Sequence, residues 1–150
     1  RGASTTGGRA RGREFTLEVA PDKDAFKAGE THTVRYLSTD TTELSGLVRA
    51  ASVDVIVTDT PYGVQHGSHG DRLSRRPMEL IDRALPAWTT TLRTGGAVGL
   101  SYNRHVAPAD ELALLLEQHG LTVVTDIDAA PFRHRVDASI DRDLIVARKD

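Results

Sequence analysis

The sequence predicts an α/β fold whose sheet is mostly parallel and ends in a C-terminal antiparallel hairpin. Three observations carry this. Strand-like and helix-like segments alternate along the chain from residue 14 onward. Two of the strands, 53–58 (VDVIVT) and 97–102 (AVGLSY), are almost wholly apolar, as parallel strands covered on both faces are. The last two strands have no long helix between them, so they pair as a hairpin at the sheet edge and not through a crossover.

Each element has its own reason. Residues 13–20 (REFTLEVA) alternate apolar and polar side chains, the period of a strand. PDKDAFKAGE follows as a turn or short helix ended by Gly29. Residues 31–39 (THTVRYLST) make a second strand, closing on Asp40. Residues 41–51 form a short helical or loop stretch with Leu44, Leu47 and Val48 on one side. After VDVIVT, the run DTPYGVQHGSHGDRLSR is dense in turn formers and reads as a long loop, the kind that carries function. Pro77 opens a helix reaching about Arg93, with Leu80, Ile81, Leu85 and Trp88 on its apolar face; Gly95-Gly96 stops it. Residues 108–119 (PADELALLLEQH) form an amphipathic helix with acids in its first turn and Gly120 as its cap. Residues 121–127 and 144–148 are the closing strands.

Composition narrows the function. Hydrophobic residues at 39% and charged residues at 27% suit a globular domain with a filled core. No apolar run is long enough for a membrane span. The absence of cysteine excludes a disulfide scaffold and a thiolate metal site, and no apolar leader is seen, which makes a cytoplasmic enzyme or binding domain the expectation. A net charge of −2 restricts nucleic-acid binding to a local basic patch. Residues 1–13 (RGASTTGGRARGR) supply one such stretch, four arginines among Gly, Ser, Thr and Ala, and read as a flexible arm or linker.

In open α/β sheets the working residues lie just past the carboxyl ends of the strands. Those ends carry Asp40-Thr41, then Asp59-Thr60-Pro61-Tyr62-Gly63, then Ser101-Tyr102-Asn103. The middle set is the specific one, an acid, a proline-stiffened turn and an aromatic after a buried strand. That set resembles the catalytic motif of base-amine methyltransferases, whose substrate amine is a weak nucleophile with its lone pair delocalised into the ring. The Asp59 carboxylate and the Thr60 carbonyl accept its two N–H groups and localise the lone pair. Pro61 fixes φ near −65°, and Tyr62 offers a face on which an extruded base stacks. A sulfonium donor carries its own positive charge, so this chemistry requires no metal.

Here the chain resembles a family. VDVIVTDTPYG (residues 53–63) is similar to the D-P-P-Y motif of S-adenosylmethionine-dependent methyltransferases acting on exocyclic base amines, with Thr60 in place of a proline. The trailing Gly63 and the run from about Gly29 to Asp150 look most like the tRNA guanosine-N2 methyltransferases, whose relatives often carry a THUMP domain. The resemblance implies a Rossmann-like sheet, S-adenosylmethionine as cofactor, and RNA, most directly tRNA, as partner. It implies catalytic roles for Asp59, Thr60, Pro61 and Tyr62, and cofactor contacts from Asp40, Thr41 and Asp59, with Glu18 a weaker candidate for the ribose-binding acid. The family's glycine-rich cofactor loop has no match, since no hydrophobic strand precedes GASTTGG. The expectation is therefore a flexible arm (1–13) followed by the C-terminal part of a catalytic domain (14–150), its N-terminal cofactor half missing or supplied by another chain.

Other groups read as less specific. His66 and His69 with Asp71 match no common zinc spacing and read as solvent- or substrate-facing. Asn103 is a ligand contact or a turn residue. Arg133, His134, Arg135, Asp137, Asp141 and Arg142 read first as a salt-bridged loop and second as a phosphate patch. Two alternatives stay open: the same chemistry on DNA adenine N6, and a catalytically incomplete domain that binds RNA or a partner subunit.

Overall fold

A computed structural model describes residues 13–61, 77–126 and 132–150. Tyr62, His66, His69, Asp71 and the arginine-rich stretch 1–12 lie outside them. The chain divides into two units, Arg1–Asp40 and Thr41–Asp150.

The first unit is a hairpin with a helix in its connection. Strand β1 (Arg13–Val19) pairs antiparallel with β2 (His32–Ser38), bringing Phe15 opposite Tyr36 and Glu14 beside Arg35. Between them runs the six-residue helix α1 (Lys23–Ala28). The Asp22 carboxylate accepts the N–H groups of Asp24 and Ala25 at its start. Gly29, at φ 79°, ends it in the left-handed conformation that costs glycine nothing. Glu18 is engaged across the hairpin, accepting the hydroxyls of Thr33 (2.8 Å) and Thr31 (3.0 Å).

The second unit is α/β. A 3-10 turn (Thr41–Gly46) leads to β3 (Val53–Asp59), α2 (Pro77–Thr91), β4 (Leu92–Asn103), α3 (Ala109–Gln118), β5 (Leu121–Val123), β6 (His134–Arg135) and β7 (Asp141–Lys149). The sheet order is β3-β4-β7-β5, with β6 also on β7. Strands β3 and β4 are parallel, and β7 runs against β4, β5 and β6. All the strands of this sheet but β7 therefore point one way. The expected hairpin is present, and its later strand lies inward, wedged between β4 and β5.

The core forms where α2 and α3 cover one face. Ile81, Ala84, Leu85 and Trp88 of α2 and Leu112 and Leu116 of α3 meet Val98, Leu100 and Tyr102 of β4 and Ile145 and Ala147 of β7. The alternate residues of those strands face the other way. This corrects the expectation for VDVIVT. On β3, Val55 is 57% and Val57 76% exposed, and they alternate with Ile56, which packs against the core, so only one face of this strand is covered within the second unit.

The helix stop is a second correction. Gly95-Gly96 does not end α2, which closes at Thr91 and passes straight into β4 at Leu92. The glycines form an irregularity inside the strand instead. Val53 pairs with Leu92 but Val55 with Ala97, so the chain bulges between them. Gly95 sits at φ 76°, and a Cβ on Gly96 would lie 2.9 Å from the Arg93 carbonyl and 3.0 Å from that of Asp54. Only glycine fits the crossing.

Candidate active site

The carboxyl ends of β3 and β4 lie side by side, with Asp59 in register with Ser101. Asp59 is the last residue of β3, and its side chain is exposed. Thr60 turns inward and is 4% exposed. Its N–H donates to the Ser101 carbonyl at 2.9 Å, and its hydroxyl donates to the same oxygen at 3.1 Å. A proline here could make neither bond. Threonine thus anchors the turn by hydrogen bonding where the motif otherwise relies on ring stiffness. Pro61 follows, half-buried.

Beside this turn the Ser101 hydroxyl is buried and, among the described residues, has no hydrogen-bond partner. An unsatisfied hydroxyl next to an exposed carboxylate, at strand ends, is a pair of polar groups fit to receive a polar ligand. The sequence placed Ser101 at a strand end without singling it out or pairing it with Asp59. Its signal was present in the register of two strands ending together, which periodicity does not show.

Thr41 opens the 3-10 turn, and its hydroxyl accepts the Trp88 indole N–H at 2.8 Å. The bond ties that turn to α2 and leaves the Thr41 proton to donate elsewhere. Asp40 ends the first unit and is exposed.

Asn103, at the end of β4, is fully buried and organises the adjoining loop. Its Nδ2 donates to the Ser139 carbonyl at 2.8 Å, while its Oδ1 accepts the N–H groups of Asp141 (3.1 Å) and His105 (3.2 Å). Of the two readings the sequence allowed, it takes the turn-organising one. Next to it, burial raises the Tyr102 phenol above its ordinary pKa and the nearby Asp143 carboxylate adds to the shift, so the hydroxyl stays protonated.

The loop from Arg133 to Arg142 is held by local bonds. The Asp137 carboxylate accepts the Ser139 hydroxyl (2.7 Å) and the N–H groups of Ser139 (2.7 Å) and Ile140 (2.9 Å). Asp141 receives Arg133 at 3.2 Å and Arg104 at 3.3 Å. The expected salt-bridged loop is there.

Residues 16–98, more than half the chain, match the family described as RMKL-like, methyltransferase domain. The chain belongs to that family. The match runs from β1 to the middle of β4 and so includes the Asp59 turn. Among solved structures, a putative DNA modification methylase from Thermus thermophilus superposes with a TM-score of 0.52 at 18% identity, over 74% of this chain and 52% of that one. The complex of that methylase with S-adenosyl-L-methionine gives 0.50 at 19% identity, over 73% and 53%. At such identities the likeness establishes the fold. This RMKL-like domain spans about half the length of the solved structures it matches. No curated protein sequence matches it. Among the described residues, no helix is long and apolar enough to cross a membrane.

Proposed function

We propose that this domain transfers a methyl group from S-adenosylmethionine to an exocyclic amine of a nucleic-acid base, with guanosine N2 of tRNA as the favoured target. The observation that carries the reading is the Asp59-Thr60 turn, pinned to Ser101 at the carboxyl ends of two parallel strands. Membership of a methyltransferase-domain family supports the reaction class. The resemblance of TDTPYG and its trailing Gly63 to the guanosine-N2 enzymes supports the target.

Asp59 and the Thr60 carbonyl accept hydrogen bonds from the two N–H groups of the amine and aim its lone pair, and one of those protons would leave to the Asp59 carboxylate or to solvent as the amine gains the methyl. Two hydrogen bonds from Thr60 to the Ser101 carbonyl anchor the turn that carries the Thr60 carbonyl, so the work is positioning and electrostatics. Pro61 holds the turn, and Tyr62 stacks on the base, a contact worth about 1–3 kcal/mol. The cofactor, when bound, supplies an electrophilic methyl on a sulfonium. By the family resemblance Asp40, Thr41 and Asp59 would contact it, and the buried Ser101 hydroxyl, in register with Asp59, is a further polar group at that strand end.

The test is methyl transfer by the intact protein to unmodified tRNA and to adenine-containing duplex DNA. Asp59→Ala should abolish transfer while leaving the fold intact, because an exposed strand-end carboxylate is not part of the core. Tyr62→Phe should keep much of the activity and Tyr62→Ala lose it by the stacking energy or more. Near-normal transfer in Asp59→Ala refutes the assignment. Transfer to DNA alone replaces the RNA target with adenine, since the acid–proline–aromatic core serves both.

A further inference from the structure

Past the end of β4 the loop opens on a cavity of about 460 Å³ lined by His105, Arg133, His134, Arg135, Ala138 and Asp141. Two arginines and two histidines face a single carboxylate there. That carboxylate is already taken, because Arg133 and Arg104 both bind Asp141 and Arg133 holds its carboxyl below the ordinary aspartate range. Arg135 donates from its Nε to the Asp137 carbonyl (3.0 Å), and its charge is felt by the Asp137 carboxylate as well. His134 makes one long contact from Nδ1 to the Phe132 carbonyl (3.3 Å). The lining thus carries more positive charge than its one acid offsets, together with ring nitrogens, and such a lining suits an anion with several acceptor oxygens.

The walls are built before any ligand arrives. Asn103 ties the end of β4 to the backbone at Ser139 and Asp141, and the Asp137 turn fixes the tip at Ala138. Asn103 lies two residues beyond Ser101, the partner of Asp59, so the cavity opens at the same end of the sheet as the candidate active site. The line from β3 through β4 and β7 to β6, which carries His134 and Arg135, crosses three strand spacings, about 14 Å. A phosphate near a base held at Asp59 falls within that reach.

We infer that this cavity binds a backbone phosphate of the nucleic-acid substrate, a site that fixes the strand while the Asp59 turn addresses the base. The inference rests on the nucleic-acid reading above. Phosphate contacts position a nucleic acid without reading its sequence, so the effect should be the same on any sequence.

The experiment is the salt dependence of binding by the intact protein to a tRNA and to duplex DNA, followed by fluorescence anisotropy. Arg135→Gln should lower the slope of log affinity against log salt by about 0.7 to 0.9, the value of one phosphate contact. Ala138→Glu adds a carboxylate to the lining and removes no bond, with Ala138→Gln as its neutral counterpart. The glutamate variant should bind about tenfold more weakly than the glutamine variant at low salt, the scale of one charge-assisted hydrogen bond, and equally so on both nucleic acids. An unchanged slope in Arg135→Gln, with Ala138→Glu equal to Ala138→Gln, overturns the site and leaves the methyl-transfer reading standing. Saturation by inorganic phosphate without any change in the variants' slopes marks a free-anion site and overturns the backbone assignment. Slopes that change as expected, in a protein that methylates neither nucleic acid, keep the phosphate site and sink the methyl-transfer reading instead.

Discussion

Substituting Thr60 by proline would bring the turn closer to the D-P-P-Y motif, yet in this chain it should weaken the fold. Thr60 gives two donors, N–H at 2.9 Å and hydroxyl at 3.1 Å, to one acceptor, the Ser101 carbonyl. Thr60→Val keeps the shape and the N–H and loses only the hydroxyl bond, a cost of about 0.5–1.5 kcal/mol. Thr60→Pro loses both and leaves a partly buried carbonyl unpaired, a cost of about 1–3 kcal/mol. Proline returns about 0.4–1 kcal/mol by restricting the unfolded chain. The net expectation for Thr60→Pro is a loss of about 1–2 kcal/mol, or roughly 2–8 °C in Tm for a chain of this size. Methyl transfer should survive in the folded fraction, because the residue 60 carbonyl that accepts the amine proton is retained. Urea unfolding of wild type and both variants, with the midpoint and the m-value fitted together, measures the difference. A Thr60→Pro protein as stable as wild type would refute the claim that these bonds anchor the turn.

Gly96→Ala should destabilise the second unit by about 1–3 kcal/mol in the same unfolding assay, since its Cβ would meet two backbone carbonyls at 3.0 Å or less. Gly99→Ala, where the nearest atom to a new Cβ is a Val57 methyl at 4.0 Å, serves as the tolerated control. Acid should loosen the loop from Arg133 to Arg142 early. The hydroxyl and N–H of Ser139 lower the Asp137 pKa, and the Arg133 guanidinium lowers that of Asp141. Their stabilising contribution is complete above the unfolded value of about 3.9 and is lost as the pH falls from there through the lower folded values. Amide exchange at Ser139 and Ile140 should therefore rise below about pH 4, relative to core amides, and Asp137→Asn should remove most of that pH dependence.

Much of the architecture was legible because local signals agreed with it. Asp22 and Gly29 bracket α1 as cap chemistry requires, and the apolar face of residues 77–91 placed α2 against the sheet. What was missed depended on partners distant in sequence. VDVIVT reads as doubly buried because β-branched apolar residues suit a covered strand, but cover is supplied by neighbours that a local pattern does not contain. Gly95-Gly96 carries the composition of a helix stop, and only the pairing of β4 with Val53 turns it into a bulge. The Asp59 turn was readable as a motif, whereas its anchor on Ser101 was not, since Ser101 is adjacent only through the register of two strands. The cationic cavity showed in the sequence as alternating Arg and Asp, from which salt bridges and an anion site are equally natural readings.

The placing of β7 has a consequence for how the chain reaches this state. Both neighbours of β4 lie more than forty residues away in sequence across most of their register, β3 before it and β7 after it. Neither pairing is rewarded until a long loop has been closed, so the sheet forms slowly compared with the β1–β2 hairpin, whose partners are local. Until residues 141–149 dock, β4, the most buried of the described strands, has a row of backbone N–H and C=O groups without partners along one side, a template for pairing with another molecule. The time in which β7 finds its slot is thus the period of greatest aggregation risk, and faster docking of β7 would protect yield even at unchanged final stability.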